Sequence, residues 1–259
     1  VKPYLTHEHP LRLAHRGSRV LWPENTMVAF QGAIDLGYRY LETDVHASRD
    51  GVVVLFHDAA LHRLTDGRGK VWEWTWDVLQ TLDAAYHFDP EGGYPLRGTG
   101  VRIPTLEEAA ATFPEALFNL DLKQRGIEER LAAEVERLGL ADRVLIGSFH
   151  DGRIRRFRAV TKGRVATSAG PLEVSAALTA ARLGRPVRTG ADAFQVPERG
   201  GPLRVVGRRF IDAVHSGGAQ VHVWTVNDLA AMRRLLDAGV DGIVTDRPDL
   251  LNEAVKGRS

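Results

Sequence analysis

Runs that read as β-strand alternate with runs that read as helix along the whole chain, and few folds accept that pattern. The strand-like runs are Leu11–His15, Tyr40–His46, Val52–His57, Leu117–Leu122, Val144–Phe149, Arg164–Thr167, Ala193–Val196, Gln220–Val226 and Gly242–Thr245. The second and third are joined through Ser48-Arg49-Asp50-Gly51, and Asp-Gly between apolar runs signals a hairpin. No helix fits so short a gap, so Val52–His57 is expected to run back antiparallel, leaving eight parallel strands. Helix-like runs at Asn25–Leu36, Thr105–Thr112, Ile127–Leu138, His150–Ala159, Leu172–Leu183, Arg204–Ser216 and Asp228–Ala238 separate most of the others. Pro104-Thr105 followed by Glu107 and Glu108 reads as a capped helix start. Eight strands with intervening helices in 259 residues predict an α/β (β/α)8 TIM barrel, for which about 250 residues is typical. A doubly wound open sheet is the alternative.

The expected domain is single, residues 1–259, with an insertion at about 61–104. That stretch carries Trp72, Trp74 and Trp76, the aromatics Tyr86, Phe88 and Tyr94, and a glycine-rich run from Pro90 to Gly100. It is longer than an ordinary βα loop and reads as a lid, a binding loop or a packed excursion. Net charge is +1, which argues against a nucleic-acid surface. The basic runs Arg153–Arg158 and Arg204–Arg209 read as solvated faces. The chain has no cysteine, which removes disulfides, thiolate metal sites and cysteine nucleophiles together. No stretch is long and apolar enough to span a membrane, and the start at Val1 has no apolar signal core. A cytoplasmic protein is the expectation, although the absent initiator Met leaves room for a removed signal peptide.

The chemistry concentrates in the first 60 residues and in the fourth strand-like run. In a strand, residues two apart share a face, so Glu42 and Asp44 project together while Leu41, Thr43 and Val45 point away. Adjacent carboxylates repel unless a cation lies between them, and hard cations such as Mg²⁺ or Ca²⁺ take oxygen ligands of this kind. A solvated strand edge is the plainer explanation of the pair. In a barrel, His15, Glu42 and Asp44 all reach the C-terminal mouth, where such folds carry their active sites. The hairpin returns His57 to the same mouth. Asn119, Asp121 and Lys123 alternate with apolar residues and so share one face. Asp121 would add a third oxygen ligand, and Lys123 a cation for an anionic substrate, unless the two form a purely structural ion pair. Two histidines can divide acid and base roles near neutral pH. Arg16 offers a forked donor suited to phosphate.

Several motifs together resemble those of the glycerophosphodiester phosphodiesterase family. They are His15-Arg16-Gly17, Pro23-Glu24-Asn25-Thr26, Glu42-Thr43-Asp44-Val45, His57-Asp58, Asn119-Leu120-Asp121-Leu122-Lys123, Val223-Trp224-Thr225-Val226-Asn227 and Gly242-Ile243-Val244-Thr245-Asp246. The resemblance covers nearly the whole chain in order. It implies a metal-dependent hydrolase that releases sn-glycerol 3-phosphate and an alcohol from glycerophosphodiesters. It implies one divalent cation, Mg²⁺ or Ca²⁺ with Mn²⁺ possible, held by Glu42, Asp44 and Asp121. The family usually has Glu where this chain has Asp121. By the same resemblance His15 and His57 are the acid–base pair, Arg16 and Lys123 contact phosphate, Trp224 walls the pocket and Glu24 supports the site. The partner is then a small-molecule glycerophosphodiester, with no nucleic acid and no stable membrane span. A lysophospholipase D-like activity on lysophospholipids is one alternative, with Tyr86, Phe88 and Tyr94 lining an acyl path. A sphingomyelinase D-like activity is weaker, because that group is usually disulfide-bonded. From another class comes a non-catalytic phosphodiester-binding barrel.

Overall fold

The structure, a computed structural model, describes residues 1–7, 9–201 and 203–257, with the side chain of Leu203 left out. Eight parallel strands run β1 (Leu11–His15), β2 (Tyr40–Ala47), β4 (Leu117–Leu122), β5 (Val144–Gly147), β6 (Ala166–Thr167), β7 (Ala193–Pro197), β10 (Gln220–Trp224) and β11 (Gly242–Thr245). Their order in the sheet is β6-β5-β4-β2-β1-β11-β10-β7. The end strands meet through a single parallel bridge between Ser168 and Ala193. A short β6 leaves room for no more than this. A doubly wound sheet would keep its two edges apart, so the near-closure identifies a barrel.

β3 (Val53–Leu55) pairs antiparallel with β2, Val45 facing Leu55 and Ala47 facing Val53. Gly51 makes the turn at φ +88°, and Ser48 Oγ accepts the amide of Val52 at 2.9 Å. A left-handed backbone of this kind favours glycine. A two-stranded ribbon, β8 (Arg199–Gly200) with β9 (Leu203–Arg204), lies beyond β7.

The helices are α1 (Met27–Asp35), α2 (Trp76–Leu79), α3 (Leu106–Thr112), α4 (Glu128–Arg137), α5 (Asp151–Val160), α6 (Pro171–Arg182), α7 (Arg208–Ser216), α8 (Leu229–Asp237) and α9 (Pro248–Val255). Thr105 caps α3 by accepting from the Glu108 amide at 3.0 Å, and Asp228 caps α8 through Ala231 at 2.8 Å. The expected helix from Arg204 starts only at Arg208, because Arg204 is taken by the ribbon. β5 and β10 stop two residues short of the expected ends.

Two layers of apolar side chains place the site. Outward residues Leu41, Val45, Phe118, Leu120 and Leu122 pack under the helices. Inside, Leu11, Leu13, Tyr40, Leu117, Leu145 and Val244 form a floor, closed from below by Tyr4 and Leu5. Tyr40 donates its hydroxyl to the Tyr4 carbonyl at 2.8 Å. Each large apolar side chain buried here contributes about 2 kcal/mol. The floor also keeps bulk water away from one side of the carboxylates above it. Residues 61–104 build a separate core on Val54 and Phe56, with Leu61, Val71, Leu79, Ala85 and Ile103.

Candidate active site

Strand alternation lifts Glu42 and Asp44 from β2, and Asn119 and Asp121 from β4, into a cavity at the C-terminal mouth. The cavity holds about 560 Å³ and is lined by His15, Arg16, Glu42, Asp44, His57, Asp121, Lys123 and Trp224 among others. Of the expected acid–base, metal, phosphate and supporting residues, only Glu24 is absent from this lining.

The chain leaves β1 by a sharp turn. Arg16 and Gly17 adopt φ +53° and +78°, and Ser18 and Asn25 also have positive φ. A Cβ on Gly17 would stand 2.7 Å from the Ala29 backbone carbon, so α1 packs where only glycine fits. The turn aims the Arg16 amide at Glu42 (3.1 Å) and its guanidinium at Glu24 (2.8 Å) and Asp44 (3.3 Å). Asn25 donates to Asp44 at 2.9 Å and accepts from Thr43 at 2.7 Å. Thr26 caps α1 by accepting from the Ala29 amide. The Glu24-Asn25-Thr26 run thus holds an arginine, orients a carboxylate and starts a helix. Glu24 does no capping; it is shared by Arg16 and Arg63.

Each histidine is locked by a carboxylate through Nδ1. His15 donates to Asp246 at 2.7 Å, and His57 donates to Asp58 at 2.5 Å. That leaves Nε2 of each ring for chemistry. Asp246 is fully buried, and its second oxygen accepts from Asn227 (2.9 Å) and Arg19 (3.0 Å). Asp58 is gripped by Arg63, which also binds Glu24 and so ties the His57 support to the Arg16 support. His46 donates to the His57 carbonyl at 3.2 Å. Burial raises both aspartates, but hydrogen bonds outweigh it and hold each at about 2: His15 and Asn227 on Asp246, and Arg63 ahead of His57 on Asp58. The two rings differ. Burial lowers His15, yet Glu42 and the Asp246 bond bring it above its ordinary value. Burial prevails at His57, which lies below its ordinary value.

Lys123 Nζ sits 2.7 Å from Asp121 and 3.1 Å from Asp44. Burial would raise Asp44, but Lys123 and then Arg16 keep it ionised at lower pH than usual. Glu42 is pushed up to about 7, by burial first and by Asp44 second. One oxygen of Asp121 is buried with no hydrogen-bond partner. Among the described residues no three His, Asp or Glu side chains already stand together as a metal cage. The Lys123 ammonium lies between two of the candidate donors. Nevertheless the donor set is all oxygen, buried and crowded, with one lone acceptor, which is chemistry suited to a hard cation.

Trp224 meets Phe149 edge to face at 5.4 Å, and with Pro171 and Val174 they make an apolar wall to the cavity. Phe149 leaves the ladder after Gly147 and is 57% exposed. The insertion aromatics do not line this cavity. Tyr86 and Tyr94 stack on Arg97, and Phe88 packs on the insertion core. The proposed acyl path along them is therefore corrected. Asp58, Asp246 and Arg19 received no role from sequence. The two aspartates stood inside the motifs His57-Asp58 and Gly242–Asp246, and Arg19 stood three residues after Arg16.

Fold and cavity define a (β/α)8 barrel with two histidines, three acids and a lysine gathered at its mouth. The sequence model of the glycerophosphoryl diester phosphodiesterase family matches residues 15–250. The chain belongs to that family. A probable glycerophosphodiester phosphodiesterase 2 of Mycobacterium tuberculosis is 38% identical over 262 residues, covering 98% of this chain and 94% of the relative. A glycerophosphodiester phosphodiesterase of Bacillus altitudinis is 32% identical, covering 91% of this chain and 94% of its own. A phosphodiesterase of Oleispira antarctica, solved with the product sn-glycerol-3-phosphate, aligns with a TM-score of 0.77 at 25% identity, over 96% of this chain and 98% of that one. Members of the family are phosphodiesterases that generally use a divalent metal. No helix among the described residues is long and apolar enough to cross a membrane.

Proposed function

We propose that the protein hydrolyses glycerophosphodiesters to sn-glycerol 3-phosphate and an alcohol, with His15 and His57 as the acid–base pair. The observation that carries this reading is the pair of carboxylate-locked histidines facing one cavity with three acids and a lysine. Both Nδ1 atoms are committed, so each ring presents Nε2 to a bound phosphodiester. One ring takes the proton of the attacking hydroxyl or water, and the other gives a proton to the departing alkoxide. Lys123 offers its ammonium to the phosphoryl oxygens, where negative charge accumulates. Arg16, which also lines the cavity and holds Glu24 and Asp44, contacts the phosphoryl oxygens with Lys123. The apolar wall of Trp224 and Phe149 packs against the glycerol carbons.

Glu42, Asp44 and Asp121 would hold the divalent cation, Mg²⁺, Ca²⁺ or Mn²⁺. When bound it supplies further charge neutralisation at the phosphoryl oxygens. The reading treats residues 1–259 as one phosphodiesterase domain with 61–104 as an insertion.

Hydrolysis of glycerophosphocholine, glycerophosphoethanolamine and lysophosphatidylcholine tests it. The protein is assayed after chelation, then with Mg²⁺, Ca²⁺ or Mn²⁺ restored, beside Asp44→Asn. Glycerol 3-phosphate release that returns with metal and fails in the variant is the expected result. Turnover confined to the lysolipid would reassign the substrate, and no turnover on any of the three would refute it.

A further inference from the structure

A second groove opens beside the cavity and shares two residues with it, His57 and Lys123. A phosphodiester has two arms. With its phosphorus at the acids and Lys123, one arm lies along the apolar wall of Trp224 and Phe149. The two cavities meet at His57 and Lys123, which opens this groove to the other arm. Its remaining lining includes Trp72, Gln124, Arg125 and Arg153, with buried His46 behind the indole at 6.0 Å between ring centres.

The charge balance of the groove is one-sided. Its lining acid, Asp58, is already engaged by His57 and Arg63. Arg153 is held by backbone carbonyls, those of Leu122 (3.0 Å) and Lys123 (2.7 Å), and pairs with no carboxylate among the described residues. Glu128 and Asp121 offset its charge only from a distance. Arg125 is exposed and forms no ion pair among the described residues. Lys70, outside that lining, adds a further cation 5.5 Å above the Trp72 ring. Some surface arginines are matched by acids, as Arg156 is by Glu129 and Arg158 by Glu173, whereas exposed Arg49, Arg68 and Arg155 form no ion pair among the described residues; what sets this groove apart is that its unpaired cations adjoin the catalytic cavity. Unmatched cations flanking a groove raise the local concentration of anions and repel a quaternary ammonium.

We propose that this groove is the subsite for the leaving alcohol and selects an alcohol that carries a second phosphate. The assignment rests on the phosphodiesterase reading above. It names Arg125 and Arg153 as specificity residues and Trp72 as the surface under the alcohol carbons. A choline head group would meet the same cations and be disfavoured.

The test compares glycerophosphoglycerol with the same diester bearing a terminal phosphate on its leaving glycerol. The wild-type protein should show kcat/KM roughly tenfold higher for the phosphate-bearing substrate, a preference that shrinks at 0.5 M salt, where the screening length is about 4 Å. Arg125→Glu, an exposed change with melting temperature as its folding control, should bring the ratio to about one or below. Arg125→Gln should give an intermediate ratio. A wild-type ratio near one overturns the proposal, as does a preference unaltered in both variants. Calorimetric binding of the two compounds to His15→Ala separates this from failure of the activity itself. If neither compound is turned over, hydrolysis is refuted, while tighter binding of the phosphate-bearing one still supports the groove and equal binding overturns it.

Discussion

His222 gives a prediction whose size and sign follow from the fold alone. It projects from β10 into the barrel, is fully buried, and sits between Gln195 (3.3 Å from Nδ1) and Gln220 (3.0 Å from Nε2). Burial pushes its pKa down from 6.5 to about 4. The imidazole is therefore neutral in the fold at every pH above about 4. In the unfolded chain it takes a proton as the pH falls below 6.5. Between these values the unfolded state binds more protons, so stability declines as pH is lowered. With about 1.4 kcal/mol per unit, the loss is about 2 kcal/mol at pH 5 and about 3 kcal/mol at pH 4, relative to pH 8. For a chain of this size that is about 4 °C and 6 °C in melting temperature. His222→Gln removes the titration and keeps a hydrogen-bonding side chain. It costs a fixed amount at pH 8. The stability gap between wild type and variant should then narrow by about 2 kcal/mol on going to pH 5, read by urea unfolding at each pH. Curves that stay parallel from pH 8 to pH 4.5 would refute the reasoning, as would a His222 ring resonance titrating near 6.5.

Two further substitutions probe the site's supports. Asp246→Asn keeps the shape but weakens the hold on His15 Nδ1, and should lower kcat about 10²-fold or more with little change in KM, read by steady-state kinetics. Gly17→Ala places a Cβ against the Ala29 backbone at a left-handed φ, and should destabilise by about 2 kcal/mol or more in chemical denaturation, with activity lost in proportion.

The acids of the site were legible because their placement is a local property. Glu42 and Asp44 are two residues apart on a strand, as are Asn119, Asp121 and Lys123, and period-two alternation decides their common direction without knowledge of the rest of the chain. The Ser48–Gly51 turn was equally local, and it fixed β3 and hence the side on which His57 emerges. The barrel itself followed from the count of units. What escaped were features that depend on length or distance. β6 is only Ala166–Thr167, since the sheet can close there by one bridge, and nothing in Arg164–Thr167 marks where pairing stops. Tyr4 and Leu5 plug the barrel floor although the chain around them shows no periodicity. α9 could have been found: Pro248 stands at its first turn, followed by Leu251 and Ala254 on the buried side.

The histidine supports show most sharply why a motif underspecifies a site. Asp58 follows His57 directly, and adjacent residues on an extended chain ordinarily point apart, so the sequence offered no reason to pair them. They meet because the chain leaves the ladder after Leu55 and because Arg63, five residues beyond Asp58, draws that carboxylate inward while also binding Glu24. Asp246 lies 231 residues from His15 in sequence. The two become neighbours only because β1 and β11 pair in register, Ala14 beside Thr245, which carries the next residue of each strand to the same rim. Barrel closure thus does chemical as well as structural service: the strand that completes the sheet also delivers the carboxylate that fixes the first strand's histidine. A substitution that loosened β11 against β1 would disturb His15 before it unfolded the protein.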